Sequence, residues 1–146
     1  MILPDFKAFP KQGRIIGIDW GARRVGVAVS DETRQMVFTR PVITCDDALQ
    51  EIVKIVSDEK IVGIILGLPL RTDGSESDTT KAVRDFAQGL SQIVNVPICF
   101  IDETLSSISA QETMGRLRQS DIKKKLDSES ARLILENAIS LMNRIL

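Results

Sequence analysis

The residues best suited to chemistry are acidic ones that lie next to apolar runs. Asp19 ends the run that begins at Arg14, Asp102 and Glu103 end a later run, and Asp127 comes shortly before a third apolar segment. A buried strand holds such a carboxylate at the edge of a sheet, where a metal ion or a phosphate can reach it. Carboxylate oxygens are ligands that Mg²⁺ and Mn²⁺ prefer. If the first and last strands are central and the last helix crosses them, these carboxylates can converge on divalent ions.

The composition favours carboxylate chemistry because it excludes several alternatives. The chain of 146 residues has no histidine and no tyrosine, and its two cysteines, Cys45 and Cys99, form no C-x-x-C motif. Triads that need imidazole, histidine zinc sites and zinc knuckles are therefore excluded. Carboxylates that hold two divalent ions about 4 Å apart can hydrolyse a phosphodiester without imidazole. We expect the cysteines to be packing residues of a reduced, intracellular protein.

Each acidic residue also has an ordinary structural interpretation. Asp19 could belong to a simple turn, although an acid that follows a buried strand is costly without a partner. Asp127 could be the N-cap of the last helix. Because successive strand residues point to opposite faces, Asp102 and Glu103 cannot both face one pocket in a regular strand. We expect one of that pair to be structural, and the sequence does not say which.

Basic residues gather near the acidic ones along the chain. The formal net charge is −1, which does not favour tight nucleic-acid binding by the chain as a whole. The distribution is more informative, because Arg14, Arg23 and Arg24 flank the first strand pair and a lysine run precedes Asp127. For the lysine run, the alternative is an ordinary solvated surface. We predict contacts with a nucleic-acid backbone for Arg23, Arg24, Arg71, Lys123, Lys124 and Lys125.

The chain alternates between strand-like and helix-like segments after an opening meander. Strands are predicted over about 14–20, 24–31 and 36–44, the last at an edge or with a bulge because it contains Pro41. The segments that follow are a helix capped by Asp46 or Asp47, a strand at 61–66, a loop at 67–74, a helix capped by Ser75, Ser77 or Asp78, a strand at 97–103, a helix at 106–117 and a helix from near Asp127. This order predicts an α/β fold with a mixed five-stranded sheet, formed by a three-strand antiparallel meander and then αβαβα, and with helices on both faces.

One domain is predicted over residues 1–146, because the length suits a single domain and no linker or repeat is visible. The first residues lack the basic start and apolar core of a secretion signal. No run reaches the roughly 18 apolar residues that a membrane span requires. We expect a cytoplasmic protein.

Four blocks of residues occur in an order that is more specific than any one block. They are Gly17-Ile18-Asp19-Trp20-Gly21 with Arg24-Val25-Gly26-Val27-Ala28, Gly67-Leu68-Pro69-Leu70 with Asp73-Gly74, Asp102-Glu103-Thr104-Leu105-Ser106-Ser107, and Asp127-Ser128-Glu129-Ser130-Ala131 with Ile134-Leu135-Glu136. Together they resemble the YqgF/RuvX family, whose members are described as pre-16S rRNA nucleases or Holliday junction resolvases. The first block alone also resembles the Asp-x-Gly turn of actin-like ATPases, but those need a second half-domain and the chain is too short for both.

The resemblance implies a ribonuclease-H-like fold with an acidic metal site that acts on a structured nucleic acid in the bacterial cytoplasm. It assigns the metal, Mg²⁺ or Mn²⁺, to Asp19, to an acid of the Asp102-Glu103 pair and to Asp127. One departure is that the family usually has arginine directly after this pair, where the chain has Thr104. A threonine hydroxyl cannot bind a phosphate in bidentate fashion as a guanidinium can. Either a nearby basic residue such as Arg71 or Lys125 substitutes for that arginine, or phosphate affinity is reduced.

These observations lead to three functional hypotheses. The first is a divalent-metal-dependent nuclease that processes the 5′ end of pre-16S rRNA, in which Asp19 bridges the ions, Glu103 or Asp102 binds one of them and Asp127 completes the ligand shell. The second is a Holliday junction resolvase that cuts branched DNA with the same site. The third is a catalytically silent RNA-binding ribosome assembly factor. One tryptophan and five phenylalanines are few for base stacking as the main binding mode. A homodimer stays open.

Overall fold

A single mixed sheet forms the centre of the computed structural model, which describes residues 1–102 and 119–145. Its strands in the described part of the chain are β1 (Ile2–Leu3), β2 (Ile15–Asp19), β3 (Arg24–Ser30), β4 (Val37–Thr44), β5 (Gly63–Leu68) and β6 (Ile98–Asp102). Their order across the sheet is β1-β6-β5-β2-β3-β4. The strands β2, β3 and β4 form an antiparallel meander, whereas β2, β5, β6 and β1 are parallel. The predicted antiparallel meander is confirmed, and β2 lies in the interior of the sheet.

Helices cover both faces of this sheet, as the sequence predicts. The helices of the described segments are α1 (Ala48–Asp58), which follows a short 3₁₀ helix (Cys45–Asp47), α2 (Asp78–Ile93) and α3 (Gln119–Ile145). One buried cluster lies on the face of α1 and α2 and includes Ile16, Ile18 and Leu66. The other cluster lies beneath α3 and includes Ile15 and Ile65. The alternation of strand residues between two apolar layers explains why these strands are apolar throughout.

The sheet differs from the sequence prediction in the number of its strands and in the start of β5. A sixth strand, β1, pairs in parallel with β6 and was not predicted, because two residues carry no detectable period. The strand β5 begins at Gly63 rather than at residue 61. The predicted helix at 106–117 lies outside the described residues. No helix in the described ranges is long and apolar enough to cross a membrane.

The predicted start of the last helix is wrong. Helix α3 begins at Gln119, so Asp127 lies more than two turns inside it and is not its N-cap. The intervening residues explain the difference, because the lysines and Leu126 have favourable helix propensity and neither glycine nor proline interrupts them. Asp47 does occupy the N-cap position of α1, but its carboxylate accepts a hydrogen bond from the Thr44 hydroxyl at 2.9 Å rather than capping the helix.

The closest approach between the sheet and α3 occurs at Gly17 in the middle of β2. A Cβ atom at this position would lie 2.8 Å from the Cβ of Leu135 and 2.9 Å from the backbone oxygen of Ala131. Both distances are shorter than ordinary van der Waals contacts, so only glycine lets α3 lie this close to the strand. The glycine therefore fixes how deeply the helix packs on β2.

Substitution of Gly17 by alanine should destabilise the fold because the added methyl group overpacks this contact. We expect a loss of about 1–3 kcal/mol in the free energy of unfolding, measured by urea denaturation. Gly89→Ala is the matched control, since a Cβ there meets nothing within 4 Å. Gly89 lies inside α2, where alanine should be neutral or slightly stabilising. Equal stability of the two variants would contradict the assignment of Gly17 to a tight helix-sheet contact.

Candidate active site

Two of the predicted acidic residues lie at the same edge of the sheet. Asp19 is the last residue of β2 and Asp102 is the last residue of β6. Both strands are parallel to β5, which lies between them, so their carboxyl ends meet at one edge. Neighbouring strands are about 4.8 Å apart, which places the two strand ends about 10 Å apart. This is the edge at which open α/β sheets bind ligands.

The pleat of the sheet separates these two acids. Asp19 has the same strand parity as Ile15 and Gly17 and lies on the α3 face. Asp102 has the parity of Phe100, which packs with the cluster on the α2 face, so Asp102 belongs to the opposite face and is exposed. The structure therefore does not bring Asp102 onto the face that carries Asp19. Glu103, the alternative acid of the pair, lies outside the described residues.

Asp19 is flanked on its own face by two positions without side chains. Gly26 of β3 is its cross-strand partner. On the other side, Ile18 pairs with Leu66, so the next residue of β5, Gly67, is level with Asp19. Paired residues share a face, so at these two positions the neighbouring strands place no side chain beside the carboxylate. Both glycines are buried although neither contributes a side chain to the core.

The sequence interpretation missed the role of these glycines. The signal was present, because a glycine inside a strand of β-branched residues often marks the close approach of a ligand or of another backbone. From the sequence, Gly26 is a member of a strand and of the first block of residues, and Gly67 marks the start of the 67–74 loop. Their common position beside Asp19 depends on which strands pair, and pairing cannot be obtained from either strand alone.

Helix α3 runs antiparallel to β2 across this face. At the start of β2, Arg34 donates a hydrogen bond from Nε to the Gly13 oxygen at 2.8 Å and contacts the sulfur of Met142, near the end of α3. Further along the strand, Gly17 approaches Ala131 and Leu135 instead. The part of α3 that lies nearest to Asp19 is therefore in its N-terminal half.

This direction determines which part of α3 is level with Asp19. From Gly17 to Asp19 the strand advances by about 6.6 Å, and one helical turn is about 5.4 Å. One turn before Ala131 is position 127, so the backbone of Asp127 is in register with the end of β2. The backbone of Asp127 therefore lies level with Asp19 from the interior of the helix rather than at its N-cap. The side chain of Asp127 lies outside the described part of the structure.

The turn after Asp19 is short and closely packed. A Cβ atom at Gly21 would lie 2.6 Å from the Arg24 oxygen, so glycine is needed where the chain reverses. Trp20, on the face opposite Asp19, packs at a tilt against Phe86 of α2 with the ring centroids 6.5 Å apart. This contact fixes the end of β2 to α2 and thereby limits the movement of the Asp19 backbone.

The loop that follows β5 lies at the same edge and is held by several hydrogen bonds. Leu70 and Glu76 form an isolated antiparallel bridge, and the Arg71 amide donates to the Ser75 oxygen at 3.0 Å. The Asp73 carboxylate accepts from the amide and hydroxyl of Ser75, and the hydroxyl bond is the main reason that the pKa of Asp73 is lowered. The predicted cap of α2 is confirmed at Ser77, whose hydroxyl accepts from the Thr80 amide in a capping box.

The loop is also anchored from beneath. Thr80 is fully buried, and its hydroxyl donates to the Pro69 oxygen while accepting from the Ser77 amide at 2.9 Å. Loss of such a buried donor leaves an unpaired carbonyl, at a cost of about 1–3 kcal/mol. The first turn of α2 and the start of the loop are therefore one hydrogen-bonded unit.

The predicted basic residues divide between the two edges of the sheet. Arg23 and Arg24 lie in or next to the turn after Asp19, and Arg71 is exposed on the β5 loop. Arg14 instead precedes β2 at the opposite edge, where it lies 3.9 Å from Glu59. The prediction that Arg14 lies beside the acidic residues is wrong, because the length of β2 separates it from Asp19. Lys123, Lys124 and Lys125 belong to α3 just before position 127, and their side chains lie outside the described part of the structure.

The donor types at this edge suit a hard cation. Carboxylate oxygens without imidazole or thiolate favour Mg²⁺ or Mn²⁺ over zinc or copper. The described residues contain no group of three acidic, cysteine or histidine residues close enough to hold a metal ion. Glu103 and the Asp127 side chain, which are two of the three predicted ligands, lie outside that part of the structure.

Solved structures of other proteins share this architecture. Thermus thermophilus RuvC superposes with a TM-score of 0.54 at 11% identity, covering 89% of this chain and 96% of RuvC. The yeast mitochondrial Holliday junction resolvase Ydc2 superposes with a TM-score of 0.50 at 10% identity, covering 96% of this chain and 87% of Ydc2. At such identities the likeness shows the fold, which is ribonuclease-H-like.

Sequence relatives are more similar. A protein of Maridesulfovibrio salexigens named "Putative pre-16S rRNA nuclease" is 40% identical over 128 residues, covering 84% of this chain and 95% of the relative. A protein of the same name from Paracoccus denitrificans is 36% identical over 143 residues, covering 91% of this chain and 87% of the relative. The family model described as "RuvX: Holliday junction resolvase" matches residues 13–141. The chain therefore belongs to the RuvX family.

Proposed function

We propose that this protein is a divalent-metal-dependent nuclease that processes the 5′ end of pre-16S rRNA in the cytoplasm. The observation that carries the proposal is the position of Asp19, which ends a central strand between Gly26 and Gly67 on the face crossed by α3. Asp19 is partly exposed and is level with the backbone of Asp127. The names of the sequence relatives support rRNA as the substrate.

In this proposal the ligands of the metal are Asp19, Glu103 and Asp127. Asp19 would hold the metal from the end of β2, and Asp127 would contribute a carboxylate from α3. Glu103 is preferred to Asp102 because Asp102 lies on the opposite face of the sheet from Asp19. When bound, Mg²⁺ or Mn²⁺ would supply an activated water and stabilise the leaving oxygen of the phosphodiester.

The basic residues at this edge have a positioning role in the proposal. Arg23, Arg24 and Arg71 approach the nucleic-acid backbone from the turn after β2 and from the β5 loop, and Lys123–Lys125 approach it from α3. Arg71 provides the phosphate contact that Thr104 cannot make in bidentate fashion. These contacts would hold the scissile phosphate at the face of the sheet that carries Asp19.

Cleavage of branched DNA is the second candidate, and a specific observation favours it. The family model carries the description of a Holliday junction resolvase, and the RuvC and Ydc2 structures share the fold. A carboxylate site that holds two ions does not by itself distinguish ribose from deoxyribose. A resolvase needs two such sites, so this candidate also requires a homodimer.

The third candidate, an RNA-binding assembly factor without catalysis, would use the same fold and the same basic surface but would not cleave its RNA.

Asp19→Asn should abolish metal-dependent cleavage while leaving the fold intact. The amide keeps the size of the side chain but loses the negative charge that binds the ion. We expect cleavage of a precursor rRNA leader in Mg²⁺ or Mn²⁺ to fall about 100-fold or more, which corresponds to about 3 kcal/mol of transition-state stabilisation. Initial rates on a 5′-labelled leader measure this effect.

The matched control for Asp19→Asn is Asp58→Asn. Asp58 is an exposed acid at the last residue of α1, at the opposite edge of the sheet. Its substitution makes the same chemical change and should leave the rate within about twofold of wild type, because exposed substitutions rarely matter. Equal cleavage rates for wild type and Asp19→Asn would exclude Asp19 from the site. Binding of the leader without metal-dependent cleavage, unchanged by Asp19→Asn, would favour the assembly factor.

The two nucleic-acid substrates are distinguished by parallel cleavage assays. We expect the wild-type protein to cut a pre-16S rRNA leader and to leave a four-way DNA junction uncut under the same Mg²⁺ or Mn²⁺ conditions. The reason lies in contacts to the 2′-hydroxyl and to the groove, which separate RNA from DNA. Asp127→Asn, as the second control, should remove the activity. Selective cleavage of the junction would instead establish the resolvase.

Arg71→Gln should weaken nucleic-acid binding without sequence preference. Loss of one phosphate contact should reduce the slope of log Kd against log salt by about 1, measured by fluorescence anisotropy with the leader RNA. Arg144→Gln is the control, because Arg144 is an exposed arginine in the last turn of α3, near the opposite edge. An unchanged slope for Arg71→Gln, or the same change in both variants, would remove Arg71 from the interface.

A further inference from the structure

Arg84 of α2 connects two elements that lead to the candidate site. Its guanidinium donates to both carboxylate oxygens of Glu76, from Nε at 2.9 Å and from Nη2 at 3.0 Å. The same guanidinium lies over the ring of Phe100, with its carbon 5.4 Å from the ring centroid. Glu76 closes the β5 loop, and Phe100 is two residues before the end of β6. One side chain therefore joins the loop to the strand that leads to Glu103.

The other contacts of the loop do not make this connection. The bridge from Leu70 to Glu76 and the Arg71–Ser75 hydrogen bonds lie within the loop. Thr80 anchors the start of the loop to α2 through the Pro69 oxygen. The Arg84 guanidinium, in contrast, contacts both the end of the loop and β6.

Stability does not account for this arrangement. The side chains of Arg84 and Glu76 are 45% and 41% exposed. Exposed ion pairs of this kind contribute little to the free energy of folding. The bidentate geometry nevertheless fixes the direction of the Glu76 carboxylate and thus the closing end of the loop. The effect of the pair is expected in the geometry of the loop that carries Arg71, rather than in the stability of the domain.

We propose that Arg84 is a positioning residue for nucleic-acid binding, which holds the Leu70–Glu76 loop against β6 so that Arg71 meets a phosphate of the bound strand. This inference rests on the proposed nuclease function and deepens it by assigning substrate positioning to an ion pair outside the acidic cluster. Arg84 acts through Glu76 and Phe100 and does not itself touch the reacting atoms. Its loss lets the loop separate from β6 and weakens the substrate complex more than the chemical step.

Glu76→Gln gives the sharpest test, because electrostatics and positioning predict opposite signs. Removal of an acidic charge should tighten binding to a polyanion if only charge matters. Positioning predicts weaker binding, since the amide loses the bidentate pair with Arg84. We expect Kd and KM for the leader RNA to rise about 3- to 10-fold, with kcat within about twofold of wild type. Binding as tight as wild type, or tighter, would overturn the proposal.

Arg84→Gln and the double variant complete the cycle. If the two residues act as a pair, Glu76→Gln combined with Arg84→Gln should bind no more weakly than Arg84→Gln alone. Arg40→Gln is the matched control, because it removes a half-exposed arginine that is paired with a glutamate, Glu59. Glu59 also lies near Arg14, at the edge of the sheet opposite the candidate site. Additive losses in the double variant, or an equal loss in Arg40→Gln, would overturn the proposal.

The readouts separate failure of this inference from failure of the proposed function. Melting temperatures of all variants should stay close to wild type, because the pair is exposed. Binding is measured by anisotropy in EDTA, and cleavage is measured separately in Mg²⁺ or Mn²⁺. If the wild-type protein binds the RNA without cutting it, the nuclease function fails, yet the sign of the Glu76→Gln effect on Kd still decides the role of Arg84.

Discussion

The close contact between Gly17 of β2 and the Ala131–Leu135 segment of α3 is the constraint on which the candidate site depends. Because the glycine has no side chain, the helix lies directly on the strand. The two elements run antiparallel, so the N-terminal half of α3 lies toward the carboxyl end of β2. That depth and direction bring the backbone of Asp127 level with Asp19. A helix held further from the sheet would leave the two acids on elements too far apart to share an ion.

A second constraint is the absence of side chains beside Asp19. Gly26 and Gly67 lie on its face in the neighbouring strands, so neither strand places a side chain next to the carboxylate there. On the opposite face, Trp20 packs against Phe86 and ties the same strand end to α2. The end of β2 is therefore fixed by packing on one face, while on the other face the strand neighbours of Asp19 are glycines.

The features that could be predicted from the sequence are those that short-range patterns of residues determine. The meander, the buried parallel strands, the Ser77 cap and the strand end at Asp19 all follow from apolar runs, strand alternation and capping chemistry. It could not predict the start of α3, because the residues before Asp127 fit a helix interior as well as a loop. Nor could it choose between Asp102 and its neighbour, place Gly67 beside Asp19, or detect the Arg84–Glu76 pair, since each depends on strand pairing or tertiary contacts.

The central claim is that acids from β2 and α3 hold the same ions, and Mn²⁺ binding tests it most directly. Electron paramagnetic resonance titrations of wild type, Asp19→Asn, Asp127→Asn and the double variant would give the affinity of each. If the ions are shared, each single substitution should weaken binding about tenfold or more, and the double variant should lose less than the sum of the two losses in free energy. Wild-type affinity in either single variant, or strictly additive losses, would contradict a shared site.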